Sequence, residues 1–96
     1  MSYRVQVRAQ VREFAAKSGL SQRRALKRAV LGLAREHGDI CALHDELDGF
    51  YRLKVGRYRV IFRYLSGRII ECIFVEERKL VYEMFESEMS RIIGAE

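Results

Sequence analysis

Arg52, Lys54, Arg57, Arg59 and Arg63 crowd into one short segment, interleaved with Leu53, Val55, Tyr58, Val60 and Phe62. Guanidinium and ammonium groups at this density suit one kind of chemistry, the binding of phosphate. Their spacing has the period of a β-strand, whose successive side chains point to opposite faces. Arg52 and Lys54 therefore share one face, with Tyr51, Leu53 and Val55 on the other. After Gly56 the alternation resumes, with Arg57, Arg59 and Arg63 on one side and Tyr58, Val60, Phe62 and Tyr64 opposite. The pattern predicts a two-stranded ribbon with an apolar underside and a cationic top.

Such a ribbon needs other elements to hold it. Tyr3 to Val7 alternates over β-branched positions and reads as a half-exposed first strand. Val11, Phe14 and Ala15 have helical spacing, with Gly19 as the stop. Ser21 stands where an N-cap belongs, and Leu26, Ala29, Val30 and Leu33 form the stripe of a longer helix ending near Gly38. These two helices form a hairpin, and Arg23, Arg24, Lys27 and Arg28 read as its exposed, solvated face, with Leu31 among them, or as a non-specific charge contact for ribosomal RNA. Asp39 to Gly49 has no clear period and reads as a connecting loop with one turn of helix. Strands follow over 51–55 and 57–65, and Ser66-Gly67 turns into a nearly all-apolar strand from Arg68 to Val75, which must be central. Leu80, Tyr82, Met84, Phe85, Met89, Ile92 and Ile93 recur at helical spacing. The order is βααβββα, an α+β domain in which the helices stand apart from a mostly antiparallel sheet.

Composition agrees with a single domain over residues 1–96. Ninety-six residues bury one core, and with nearly half of them hydrophobic and no proline the chain is not a disordered one. The net charge of +5 points to nucleic acid or an acidic protein as partner. The charge is also polarised. From Gly49 to Ile70 there are six cations and no acid, whereas more than half of the thirteen acids lie from Glu71 onward. No apolar run approaches the roughly 18 residues of a membrane span, so no membrane partner is expected. Cys41 and Cys72 lie far apart without a secretory signal, which favours a reducing, cytoplasmic setting and two small buried hydrophobes over a disulfide or a zinc site. No phosphate-binding glycine loop, HExxH or Ser-His-Asp arrangement is present, and no metal or cofactor is expected.

The run Leu47-x-Gly49-x-Tyr51-Arg52-Leu53-Lys54-x-Gly56-x-Tyr58-Arg59-Val60-Ile61-Phe62 resembles the core signature of the RelE/ParE toxin superfamily of type II toxin-antitoxin systems. Glu77-Arg78-x-x-Val81-Tyr82 is similar to the same superfamily's arginine followed four residues later by tyrosine. The resemblance covers nearly the whole chain. It implies a toxin neutralised by a cognate antitoxin protein. RelE-like members cleave mRNA in the ribosomal A site, and ParE-like members poison DNA gyrase. The RNA-cleaving site would comprise Arg52 and Lys54, then Arg59, then Arg78 and Tyr82, with Arg57 and Arg63 as further phosphate ligands. Two departures stand out. Arg52 replaces a lysine of RelE, and no histidine lies near the carboxyl end, since His37 and His44 both precede the ribbon.

RNA carries its own nucleophile in the 2′-hydroxyl, so a metal-free nuclease needs a proton acceptor, a donor and charge stabilisation. Lys54 is the proton-transfer candidate, because neighbouring arginines disfavour its charged form. Arginine, with a pKa above about 12, stays protonated. Arg52, Arg59 and Arg78 are thereby left to phosphate and developing charge, and Tyr82 to stacking on a base or to proton transfer. Three readings stay open: an mRNA endonuclease, a gyrase inhibitor, and an inactive toxin-fold protein that binds a partner. The blander readings make the cationic strand face solvated surface, pair Arg78 with Glu76 or Glu77, and pack Tyr82 into the core. The first reading requires Arg78 and Tyr82 to approach Lys54 and Arg59.

Overall fold

The computed structural model describes residues 2–94. Strand β1 (Arg4–Val7) leads into helices α1 (Ala9–Lys17) and α2 (Leu20–Gly32), and a 3₁₀ turn (Leu33–Arg35) closes the hairpin. Strands β2 (Asp39–Ala42), β3 (Tyr51–Val55), β4 (Tyr58–Leu65) and β5 (Ile69–Glu77) follow, then helix α3 (Val81–Gly94). The sheet order is β1-β5-β4-β3-β2, with β1 parallel to β5 and every other pair antiparallel. The α+β arrangement of first strand, helical hairpin, antiparallel meander and terminal helix is the one the periodicities give.

Four local expectations are corrected. The segment Asp39 to Gly49 is not all loop, because its first four residues pair with β3 as an additional edge strand. Gly38 makes that turn, at φ +122°, with its Cα so close to β3 that a Cβ would lie 2.7 Å from Leu53 Cδ1. Helix α2 starts one residue before Ser21, with Gly19 at its N-cap and no side-chain cap. Helix α1 ends at Lys17 rather than at Gly19, and there the Ser18 hydroxyl donates to the Phe14 carbonyl at 2.8 Å. Finally, Cys72 is buried as expected but Cys41, on the edge strand, is exposed.

Each face of the sheet carries its own core. On one, Leu53, Val60, Phe62, Ile70, Cys72 and Val75 pack against Val11 of α1 and Leu26, Val30 and Leu33 of the second helix and its turn. On the other, Ile61, Ile73 and Phe74 pack against Val81 and Phe85 of α3, with Leu47. A β-bulge lets β5 serve both: Ile61 pairs with Phe74 and Phe62 with Cys72, so Ile73 is skipped and two consecutive side chains turn toward α3. This is why residues 70–75 are buried without interruption.

Candidate functional site

The cationic side of the ribbon is the side that α3 covers. Ile61, flanked at two-residue intervals by Arg59 and Arg63, is fully buried beneath the helix, which corrects the expectation of an open cationic top. The helix divides that face into three zones. At the hairpin end, register aligns Asp39, Lys54, Arg59 and Glu76 across four strands. Two residues further along, Cys41, Arg52, Ile61 and Phe74 form the next row. Beyond the bulge, Arg63 faces Glu71.

In the first row Lys54 is exposed, and its ammonium has no side-chain partner among the described residues. Its cross-strand neighbours are one cation, Arg59, and one anion, Asp39, so the arginine cluster expected around it is tempered on one side. Arg59 is half-buried and turned back on the hairpin, its Nη1 donating to the Gly56 and Tyr58 carbonyls at 2.9 Å each. The turn is made by Gly56 at φ +59°. Arg57 stands on the turn itself. Its Nη2 donates to the Tyr58 hydroxyl at 3.1 Å and lies 4.0 Å from Glu77, and these contacts, with Tyr58 first, raise its pKa above the ordinary arginine value.

Arg52 is held by the edge strand. Its Nη1 donates to both the carbonyl and the carboxylate Oδ1 of Asp39, each at 3.0 Å. Burial by itself lowers the Arg52 pKa, but the hydrogen bond and charge of Asp39, with smaller contributions from Cys41 and Tyr82, raise it on balance. Tyr82, in the first turn of α3, is half-buried against the second core, and its phenol is near enough to bear on the charge of Arg52. Arg78 lies just before α3. Its backbone amide donates to the Arg57 carbonyl at 2.9 Å, which fixes it beside the hairpin turn. Its guanidinium is exposed and pairs with neither Glu76 nor Glu77.

Lys54, Arg57, Arg59 and Arg78 stand at the hairpin end, Arg52 lies in the next row with Tyr82 near it, and Arg63 stands apart from them all. Arg63 Nε donates to Glu71 Oε1 at 2.8 Å, while Arg8 Nε takes the other carboxylate oxygen at 3.1 Å and Arg8 Nη1 reaches the Ile92 carbonyl of α3 at 2.8 Å. Arg63 is thus part of an internal clamp. Two acids were not read from the sequence as neighbours of the site: Asp39, which orients Arg52, and Glu76, which flanks Arg59. The short alternation Asp39-Ile40-Cys41-Ala42 after a glycine was the available signal for the first. Among the described residues no group of three or more His, Cys, Asp or Glu side chains is placed to hold a metal ion.

No protein-family model and no curated protein matches the sequence. Solved structures do match, and they define a class, the small α+β toxins of toxin-antitoxin pairs. The chain is similar to the RelE–RelB complex of the archaeon Pyrococcus horikoshii, with 26% identity, a TM-score of 0.62 and coverage of 81% of this chain and 97% of that one. It is similar to the RelBE2 toxin-antitoxin complex of Mycobacterium tuberculosis at 23% identity, TM-score 0.71, covering 81% and 100%. The free toxin RelE of E. coli matches over 96% of this chain and 99% of its own, at 17% identity and TM-score 0.71. This chain has the RelE-like toxin fold.

Proposed function

We propose that the chain is the toxin of a type II toxin-antitoxin pair and cleaves mRNA in the ribosomal A site. The single observation that carries this reading is the pair Lys54 and Arg59, adjacent across β3 and β4 at the one end of the sheet face that α3 leaves uncovered. Arg52, Arg78 and Tyr82 stand around that end, two of the five with free cationic heads.

Cleavage follows from what these groups can hold. Lys54 takes the 2′-hydroxyl proton; the 2′-oxygen attacks phosphorus, the bond to the 5′-oxygen breaks, and the departing 5′-oxygen takes up a proton from the Lys54 ammonium so formed or from water. Arg59, Arg78 and Arg52 offset the charge that develops on the phosphoryl oxygens, where preorganised donors act most strongly. Arg57 adds a phosphate contact at the turn. Arg63 contributes through the fold. Tyr82 stacks on an unpaired base, an interaction worth about 1–3 kcal/mol. No metal or cofactor enters these steps.

The antitoxin would be an acidic, amphipathic segment that covers the hairpin end or displaces α3. Both partners would act in the cytoplasm. Inhibition of DNA gyrase is the second reading, favoured by the intramolecular hydrogen bonds that already engage Arg52 and Arg59. Lys54→Ala and Arg59→Ala should relieve growth arrest on expression while leaving the protein folded, and primer extension on mRNA after induction should find breaks within codons. Gyrase-linked DNA breaks in place of mRNA breaks would establish the second reading instead.

A further inference from the structure

Helix α2 carries a second cationic surface on the opposite side of the molecule. It packs on the sheet face away from α3, burying Leu26 and Val30 and leaving Arg23, Arg24, Lys27 and Arg28 exposed. None of these four side chains has a hydrogen bond or ion pair among the described residues. From Phe14 to Arg35 the chain has six cations and no acid, so nothing on the helix offsets them. The arrangement is unfavourable for the helix itself. Arg23 with Lys27, and Arg24 with Arg28, are like-charge pairs at i, i+4, about 6 Å apart along the axis, and the first turn has no acid to meet the dipole. A polyanion laid along α2 would relieve this repulsion.

The layout also selects the kind of polyanion. Protein interfaces place apolar side chains at the centre and charge at the rim. Here the order is inverted, with the cations central and the exposed Leu20 (53%) and Leu31 (61%) at the two ends. Three of the four cations are arginines, whose planar fork matches phosphate. We propose that the exposed face of α2 binds the phosphate backbone of double-helical RNA, without sequence preference, while the hairpin end engages a single strand. The choice of RNA over DNA rests on the nuclease reading of the hairpin end; the phosphate contact rests on α2 alone.

The test is fluorescence-anisotropy binding of the full-length chain to a labelled RNA duplex of about 16 base pairs, over about 50 to 200 mM salt. The background Lys54→Ala, Arg59→Ala keeps the measurement free of cleavage, so a failure of the nuclease reading does not touch it. Replacing all four cations (R23Q, R24Q, K27Q, R28Q) should weaken binding at least about 30-fold at low salt and flatten the log–log salt slope by about 3. The lysine variant (R23K, R24K, R28K) should keep the parent's salt slope, since the point charges remain, and bind more weakly than the parent but more tightly than the glutamine variant, since the bidentate fork is lost. The proposal is overturned if the parent fails to bind, if the glutamine variant binds as the parent does, if a polyglutamate peptide competes as well as the RNA, or if a DNA duplex binds more tightly.

Discussion

The two ends of the sheet face beneath α3 are built from the same kind of residue and do opposite things. At one end Arg63 and Arg8 grip the buried Glu71, and Arg8 continues to the Ile92 carbonyl, so that one carboxylate ties β4, β5 and the N-terminal segment to the last helix. At the other, Lys54 and Arg78 point cationic heads at solvent with no acid bonded to either among the described residues. An arginine or lysine on a strand declares nothing by its type. What separates a brace from a binding group is whether burial has forced it to find an internal anion, since a buried charge must be paired whereas an exposed one can wait for a ligand.

The sharpest way to break this comparison is to cut each end and measure both activity and stability. Lys54→Ala should lower single-turnover mRNA cleavage on ribosomes by about 10²–10⁴-fold, the range of a lost general base. Its thermal unfolding should move by no more than about 0.5 kcal/mol, as for an exposed position. Glu71→Ala should do the reverse, costing about 3 kcal/mol by removing the buried carboxylate that both Arg8 and Arg63 grip. If Lys54→Ala unfolded the chain, or Glu71→Ala left its melting curve unchanged, the division into an open and a braced end would be wrong.

A smaller effect is expected where the open end meets the edge strand. Gly38→Ala puts a Cβ 2.7 Å from Leu53 Cδ1 at a φ of +122° that side chains rarely adopt, so the Leu53 side chain or β2 must shift. Denaturant unfolding should show a loss of about 2 kcal/mol. Arg63–Glu71 lies far from β2, and the clamp should remain intact, with α3 still protected in hydrogen exchange.

These two ends also mark what was legible in the sequence. The alternation in β3 and β4, the continuous apolar run of β5 and the stripe of α2 determined the sheet and the hairpin, because each pattern reflects which sides of the element are buried. The covering of the cationic face by α3 was not read, although the chain carries the sign: Ile61 stands apolar between Arg59 and Arg63, where a solvated face has no need of it. Strand β2 was missed for a different reason. Four residues beginning with an aspartate have little strand preference of their own, and they are extended because β3 offers them a ladder. The Glu71 clamp depends on Arg8 and the Ile92 carbonyl, at the far ends of the chain, and has no local signature.

The two cysteines give a milder version of the same contrast. Burial, and then the charge of Glu71, push the Cys72 thiol up to about 12, while Cys41 is open to solvent. The native state thus holds the Cys72 proton where the unfolded chain, with an ordinary thiol near 9, releases it. Stability contributed by the neutral, buried thiol is fully present below about pH 9 and is lost progressively as pH rises toward 12. Thermal melts of Cys72→Ala across this window should fall less steeply than those of the parent. Alkylation of the native protein at mildly alkaline pH should label Cys41 alone; labelling of Cys72 would show that β5 opens in the native state.

The smallest effect, and the most discriminating, concerns Asp39. Its carboxylate lies in the row of Lys54 and Arg59 but bonds Arg52 from the next row, which tilts that guanidinium toward the hairpin end. The pair is surface-exposed on the aspartate side, so Asp39→Asn should change stability by less than about 1 kcal/mol. Arg52 keeps its bond to the Asp39 carbonyl oxygen in that variant but loses the charge that orients it. Cleavage should fall about fivefold, with the loss in the rate of the chemical step rather than in ribosome binding, and Asp39→Glu should restore most of it. If Asp39→Asn raised activity instead, the carboxylate would be restraining Arg52 from phosphate, and the open end would be a braced end that binding must release.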